Sequence, residues 1–194
     1  MTLRPPSPAL VLLAALAGAL CAAPALAQPT FEGFLCCNLR TDGRWISDIN
    51  YEESGKTMLP LGTPVKVLGY GRQRVHLEIA GQRQDLGNDY SRTLNLEQFA
   101  RRYVVPEDPR AKLEGLPPRL REAITSARVT RGMTREQVAM AVGWPVTSEN
   151  PHLDAREWHH WLWSFSEFVV HFGPDGLVTD VQTDPDTRRR VVLD

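Results

Sequence analysis

The stretch RGMTREQVAMAVGWP, residues 131–145, specifies a short helix by its own side chains. Thr134 is a favourable N-cap residue, and Gln137 stands three positions later, where its side chain can complete a capping box. Val138 and Val142 lie four residues apart and therefore share one apolar face of the helix. This face has to be covered by another part of the chain.

The end of this helix and the segment after it predict a helix packed on a sheet. Gly143 and Pro145 predict a stop with a left-handed cap, because proline cannot continue the helix. Residues 156–181 have the pattern of three strands. The predicted fold class is α+β: a small β-barrel-like N-terminal unit, then a helix-helix-three-stranded antiparallel sheet unit.

The same residues resemble the SmpA/OmlA family, the BamE-like proteins of the outer-membrane β-barrel assembly machine. The motif that carries the resemblance is GMTxxQVxxxxGxP, formed by Gly132, Met133, Thr134, Gln137, Val138, Gly143 and Pro145. A tryptophan-rich strand from Trp158 and a turn at 173–176 follow it. The resemblance covers about the last 75 residues and implies two helices on a three-stranded antiparallel sheet, a location in the envelope and a protein partner.

Length, composition and the N-terminus predict an exported globular protein. The chain has 194 residues, 42% of them hydrophobic, and a formal net charge of −1. Residues 1–27 have the organisation of a signal peptide: Arg4, an apolar run and the small-x-small site at 25–27. Removing this segment, whose single charge is Arg4, changes the net charge from −1 to −2. This balance does not favour nucleic acid as a partner.

Cys21 is the residue that a lipid would modify if the protein were a lipoprotein, as BamE-like proteins usually are. The residue before it is Leu20, whereas a lipidation site requires a small residue there. A soluble periplasmic protein starting at Gln28 is therefore predicted. Lipid anchoring at Cys21, on the periplasmic face of the outer membrane, is the alternative.

The mature chain divides into two predicted domains joined by a linker. Residues 28–105 form a β-rich unit with a terminal helix, and the phrase LPLGTPVKVLGYG resembles bacterial Src-homology-3-like barrels. Asn95 and Gln98 predict a capping box for its helix. Residues 106–118, with four prolines, are the predicted linker, and residues 119–194 form the BamE-like domain.

Cys36 and Cys37 are candidates for a disulfide in an oxidising compartment. Neighbouring side chains on a strand point to opposite faces, so a bond between them closes only a strained small ring. Three alternatives remain at this stage: one buried, unreactive cysteine, a vicinal disulfide, or an intermolecular bridge.

The loop at residues 88–92, NDYSR, combines an amide, a carboxylate, a phenol and a guanidinium. Turn chemistry explains it as well as a ligand site does, with Asp89 pairing with Arg92.

The strand that contains Trp158 is aromatic on both faces. Alternation puts Trp158, His160 and Leu162 on one face of the strand and His159, Trp161 and Trp163 on the other. Trp158 resembles the tryptophan that opens this strand in the SmpA/OmlA family, and the resemblance implies that its face is the core side. A sheet covered by helices on one side needs only one apolar face. The second face is therefore covered by the N-terminal unit or by a partner, and Trp161, Trp163 and His159 are the interface candidates.

Residues with catalytic or metal-binding chemistry form no recognisable motif. The chain lacks a nucleophile motif, a phosphate-binding loop, a CxxC pair and an HExxH helix. His159 and His160 point to opposite faces of their strand, so no metal or other cofactor is predicted.

The predicted function is that of a non-catalytic envelope protein that binds a protein partner in outer-membrane protein assembly or envelope integrity. The alternative is a secreted inhibitor-like or ligand-binding module, because the same unit resembles the repeat of β-lactamase inhibitor proteins. An enzyme acting on cell-wall glycan through residues 88–92 is a third hypothesis.

Overall fold

The computed structural model describes residues 1–2, 29–53 and 55–194. The predicted signal peptide, apart from its first two residues, and Cys21 lie outside the described residues. In the described part of the chain, none of the helices is both long and apolar enough to cross a membrane.

The N-terminal part is a curled eight-stranded sheet with one helix, as the predicted fold class requires. The strands are β1 (Phe31–Leu35), β2 (Leu39–Thr41), β3 (Trp45–Ser47), β4 (Thr57–Leu59), β5 (Pro64–Gly71), β6 (Arg74–Ile79), β7 (Gln82–Gly87) and β8 (Val104–Val105). Their order is β4-β2-β3-β7-β6-β5-β1-β8, and only the β3–β7 pair is parallel. Helix α1 (Leu96–Tyr103) begins with the predicted Asn95–Gln98 capping box.

The C-terminal part is a helical layer on a separate three-stranded antiparallel sheet, which confirms the predicted α+β class. Its elements are α2 (Pro118–Thr125), α3 (Arg135–Val142), β9 (Glu157–Trp163), β10 (Ser166–Phe172), β11 (Val178–Gln182) and α4 (Pro185–Val191). The sheet order is β11-β10-β9. Val138 and Val142 of α3 belong to one buried cluster with Trp158, so the apolar helix face covers the sheet as predicted.

Helix α3 begins as its sequence predicts. The Thr134 side chain accepts from the Gln137 backbone N–H, and the Gln137 side chain accepts from the Thr134 N–H at 2.9 Å. The predicted left-handed cap at its other end is wrong in one dihedral: Gly143 has φ 88° but an extended ψ of 168°. This region is open essentially only to glycine.

The reason for this ending is that the N-terminal unit caps α3. The last four carbonyls of a helix have no partner within the helix. Here Ala139 O accepts from the Gly143 N–H at 2.8 Å, and Met140 O accepts from the Asn38 N–H at 3.0 Å. The next two carbonyls accept from asparagine side chains: Ala141 O from Asn38 Nδ2 at 3.0 Å, and Val142 O from Asn50 Nδ2 at 2.9 Å.

We call Asn38 and Asn50 the amide clamp. Asn38 also donates to Ile124 O at 2.7 Å, at the end of α2, and its Oδ1 accepts from the Leu61 N–H at 3.0 Å. Asn50 has φ 59°, a left-handed conformation that asparagine tolerates better than most residues. A Cβ on Gly143 would lie 3.1 Å from Asn50 Nδ2, so the bare glycine also leaves room for the clamp.

The predicted linker at 106–118 is packed against both units. It contains a 3-10 helix, Pro109–Leu113, capped by Asp108. A Cβ on Gly62 would lie 2.7 Å from an Asp108 oxygen, and Lys112 pairs with Glu136 of α3 at 2.5 Å. The connection is therefore held at both ends.

Helix α4 is not predicted by the periodicity of the C-terminal tail. Asp184 accepts from the Asp186 and Thr187 N–H groups, and Pro185 occupies the first helical position. This Asp-Pro pair is a helix-start signal. No helix was predicted from it, because the residues that follow show no apolar periodicity. After the helix, Val192 forms a parallel bridge with Val129.

We predict that Asn38→Ala lowers the free energy of unfolding by roughly 3 kcal/mol or more. The substitution removes three buried side-chain hydrogen bonds, each contributing about 1 kcal/mol. It leaves the Ile124 and Ala141 carbonyls and the Leu61 N–H buried without these bonds. Asn38→Asp should cost more, because a buried carboxylate cannot donate and would face two carbonyl oxygens. Urea denaturation measures both effects.

Asn95→Ala, at the exposed N-cap of α1, is the matched control and should cost about 1 kcal/mol. If Asn38→Ala costs no more than this control, the clamp does not hold the two units together.

Candidate functional site

Strand β9 alternates as predicted. Trp158, His160 and Leu162 are buried, while His159, Trp161 and Trp163 are partly exposed on the opposite face. Trp158 has no exposed surface, and its ring lies 5.2 Å from that of Phe172, edge to face. It is a core residue.

The outward face of the sheet combines aromatic, imidazole and carboxylate groups. Trp161 lies opposite Glu167 in the β9–β10 register. His159 Nδ1 is 2.7 Å from Glu167 Oε1, and His171 Nδ1 is 3.3 Å from Glu157 Oε1. On this face each of these histidines is therefore paired with a carboxylate, and Glu167 lies directly opposite Trp161.

The two predicted interface tryptophans have different surroundings. The Trp161 indole N–H donates to Glu149 Oε2 at 2.7 Å. The guanidinium of Arg190 lies 4.8 Å above the Trp163 ring and also bonds Glu52 Oε1 at 2.6 Å. Trp163 is therefore partly covered by α4, and only part of its ring can meet a partner.

Three further aromatic residues near these tryptophans were not predicted as a site. Phe165, in the turn between β9 and β10, is 94% exposed, and Tyr90 is 46% exposed. Tyr51 lies near Ser164, Tyr90 and Glu149, and partial burial raises the pKa of its phenol. An aromatic residue between two serines, Ser164-Phe165-Ser166, was the available signal for Phe165.

We call these five residues the aromatic patch: Tyr51, Tyr90, Trp161, Trp163 and Phe165. The first two come from the N-terminal unit and the other three from the β9–β10 hairpin. Glu149, bonded to Trp161, lies among them. The hairpin and the N-terminal unit thus build one surface.

The polar loop at 88–92 is tied into its own unit. Asp89 pairs with Arg74, Oδ1 to Nη1 at 2.9 Å, so the predicted pairing with Arg92 is wrong. Arg74 comes from the adjacent strand β6, which sequence proximity could not reveal. The Asn88 side chain donates to Leu94 O at 3.1 Å, and the Tyr90 N–H donates to Asp48 Oδ2 at 2.9 Å.

Cys36 and Cys37 are joined by a disulfide in the structure, which is one of the three alternatives left by the sequence. Both residues are buried, and the Cys36 N–H donates to Tyr103 O at 2.9 Å. The bonded pair lies between the end of β1 and the end of α1.

The GMTxxQV motif connects α3 to β11. Gly132 has φ 83°, and its N–H donates to Val178 O at 2.9 Å, while the Val178 N–H donates to Met133 O at 2.8 Å. Met133, Val138 and Pro145 are buried. These contacts are internal and account for the motif as part of the fold, although Gly132 and Thr134 are themselves exposed.

His160 is a buried histidine rather than a metal ligand. Its ring stacks on Phe168 at 5.1 Å, and its Nε2 lacks a hydrogen-bond partner among the described residues. Burial, with a smaller effect from His159, lowers the pKa of His160 to about 3. Within the described residues, no three His, Cys, Asp or Glu side chains are grouped to hold a metal ion.

Comparison with known protein families, curated proteins and solved structures finds no match.

We predict that His160 makes the fold less stable in acid. Its pKa is about 3 in the folded state and about 6.5 when unfolded, so the unfolded chain binds the extra proton between these values. The stability that the fold has with a neutral His160 is fully present above about pH 6.5 and is lost as the pH falls. From pH 7.5 to pH 5 the free energy of unfolding should fall by about 2 kcal/mol through this group.

Urea denaturation across this pH range, with His160→Gln and with His159→Gln as the matched control, isolates the effect. His160→Gln should flatten the pH dependence, and His159→Gln should leave most of it. An unchanged slope in His160→Gln would show that the ring is not held neutral.

Proposed function

We propose that the protein is a non-catalytic binding module of the cell envelope, and that its protein partner docks on the aromatic patch. The observation that supports this role is the aromatic patch itself, with Phe165 94% exposed beside two partly exposed tryptophans. Exposing such large apolar rings to water is unfavourable, and exposed aromatic groups are typical of interaction sites.

The composition of the aromatic patch supports a protein as its partner. Tryptophan and tyrosine dominate the binding energy of protein interfaces, because a buried ring removes a large apolar area from water while its N–H or O–H keeps a polar partner. Trp161 already has this arrangement, since its N–H is bonded to Glu149 while part of the ring remains accessible.

Charge indicates which surface of a partner would fit. Glu149 accepts from the Trp161 N–H and Glu167 lies opposite Trp161 in the β9–β10 register, while the Arg190 beside Trp163 is already paired with Glu52. Like charges across an interface are costly, so the partner surface should carry Lys or Arg around an apolar centre.

The cellular context rests on the predicted signal peptide and on the resemblance to the SmpA/OmlA family. Together they favour a periplasmic location and a partner among the outer-membrane protein assembly components. The role requires no cofactor and no bound nucleic acid.

We predict opposite effects for tryptophans on the two faces of β9. Trp161→Ala should weaken partner binding by on the order of 2 kcal/mol, or about 30-fold in Kd, with a much smaller change in stability. Trp163→Ala should weaken binding similarly but cost more stability, because Arg190 loses its ring. Trp158→Ala should instead cost roughly 3 kcal/mol or more in folding.

The partner can be identified by a photo-crosslinking residue placed at 161 or 165 in cells that make the protein. Leu68, 42% exposed on β5 of the N-terminal sheet, is the control position. Adducts with an outer-membrane assembly component from 161 and 165, but not from 68, would support the proposal. Adducts with a soluble hydrolase would favour the inhibitor-like alternative, and no specific adduct from 161 or 165 would refute a docking role for the aromatic patch.

A further inference from the structure

A second feature, separate from the aromatic patch, is a cavity of about 220 Å³ between the two units. It lies between the end of α1, the Pro-rich segment and α3. Most of its wall is apolar, formed by Cys36, Val105, Pro106, Ala139, Met140 and Trp144. The buried disulfide thus forms part of the wall through Cys36.

The charges around this cavity are unequally compensated. Lys112 and Glu136 pair with each other at 2.5 Å, and Glu107 is exposed. Arg102 also lines the cavity. Within the described part of the chain, residues 29–53 and 55–194, its guanidinium makes no hydrogen bond or ion pair. Its Nη1 is buried without a partner, and burial lowers the pKa of the group.

Among the described residues, Arg102 has a favourable contact with an aromatic ring. Its Cζ lies 5.7 Å from the ring centroid of Trp144, near the outer limit for a cation–π interaction. The Trp144 indole N–H is itself buried without an acceptor among the described residues. An arginine without an acid partner among the described residues therefore lines a mostly apolar cavity, while its own Nη1 and the Trp144 Nε1 are buried behind the surface.

Leaving a partly desolvated guanidinium unpaired costs stability, because a buried charge is tolerated only when it is paired. An anion with acceptor oxygens would pair with the N–H groups of Arg102 that are not buried. Carboxylates fit the planar fork of arginine with two parallel hydrogen bonds. The apolar wall would take the rest of the molecule, and the small volume, below the usual 300–1,000 Å³ of ligand pockets, limits its size.

We propose that this cavity binds a small amphipathic carboxylate. Arg102 holds the carboxylate beside the Trp144 ring, and the aliphatic or aromatic body of the ligand packs against Met140 and Pro106. The site is made from both units and is independent of the partner surface on the β9–β10 hairpin.

Hexanoate is a suitable probe, with 1-hexanol as the uncharged control of the same length. In titrations of the purified protein followed by NMR, hexanoate should shift the Trp144 indole N–H and Met140 methyl resonances, while hexanol should bind at least about tenfold more weakly. Equal binding of the two, or no shift with hexanoate at millimolar concentration, would overturn the proposal.

Arg102→Met tests the role of the guanidinium, and Arg101→Met at the neighbouring position is its control. Each substitution removes one positive charge, so the net charge changes equally. Arg101 is exposed and pairs with Glu97 at 3.0 Å. Arg102→Met should weaken hexanoate binding at least about tenfold, and Arg101→Met should change it less than about twofold. Similar losses in both would mean that only the general surface charge attracts the ion, which contradicts the site.

Stability of the ligand-free protein separates a binding residue from a structural one. If Arg102 is kept for a ligand, Arg102→Met should raise the urea midpoint, because an unpaired desolvated charge is replaced by an apolar chain. A lowered midpoint would show that Arg102 stabilises the fold by itself, and the assignment would fail.

Discussion

The rest of the structure depends on how the C-terminal end of α3 is satisfied. Helix α3 ends in the protein interior. The C-terminal unit supplies a partner for one of its last carbonyls, through the Gly143 N–H. Asn38 and Asn50, which lie between strands of the N-terminal unit, supply the partners of the Met140, Ala141 and Val142 carbonyls. A buried carbonyl without a donor is expensive, so α3 cannot end stably in this way unless the N-terminal unit is in place.

This constraint explains why both proposed sites lie where the units meet. The cavity has Arg102 and Cys36 on one side and Ala139 and Met140 of α3 on the other. The aromatic patch likewise combines Tyr51 and Tyr90 with the β9–β10 hairpin. Neither surface would be complete on an isolated unit, so docking of the units is a condition for both of the proposed sites.

The features that the sequence predicted correctly are those specified by neighbours in the chain. Both capping boxes, at Asn95 and Thr134, need residues only three positions apart. Strand β9 shows its two faces because alternation is a local property of extended chain. The fold class followed from these local patterns.

Helix α4 and Phe165 had local signals that were missed, but the other errors and omissions involve contacts between residues that are distant in sequence. Asp89 pairs with Arg74 rather than with Arg92, because β6 and β7 are adjacent in the sheet. Asn38 lies 103 residues from the Ala141 carbonyl that it bonds, and an isolated asparagine carries no pattern that predicts such a partner. Arg102 is unremarkable in the sequence, since its lack of an acid partner appears only once the chain is folded.

The claim that the amide clamp makes the two units fold as one is tested most directly by native-state hydrogen exchange in increasing denaturant. The amides to compare are those of Val75 in β6, Val142 in α3 and Val170 in β10. If the clamp couples the units, all three should exchange through one unfolding reaction, with the same free energy and the same dependence on denaturant. Exchange of Val142 and Val170 at a clearly lower free energy, while Val75 stays protected, would show that the C-terminal unit opens alone and would contradict the account.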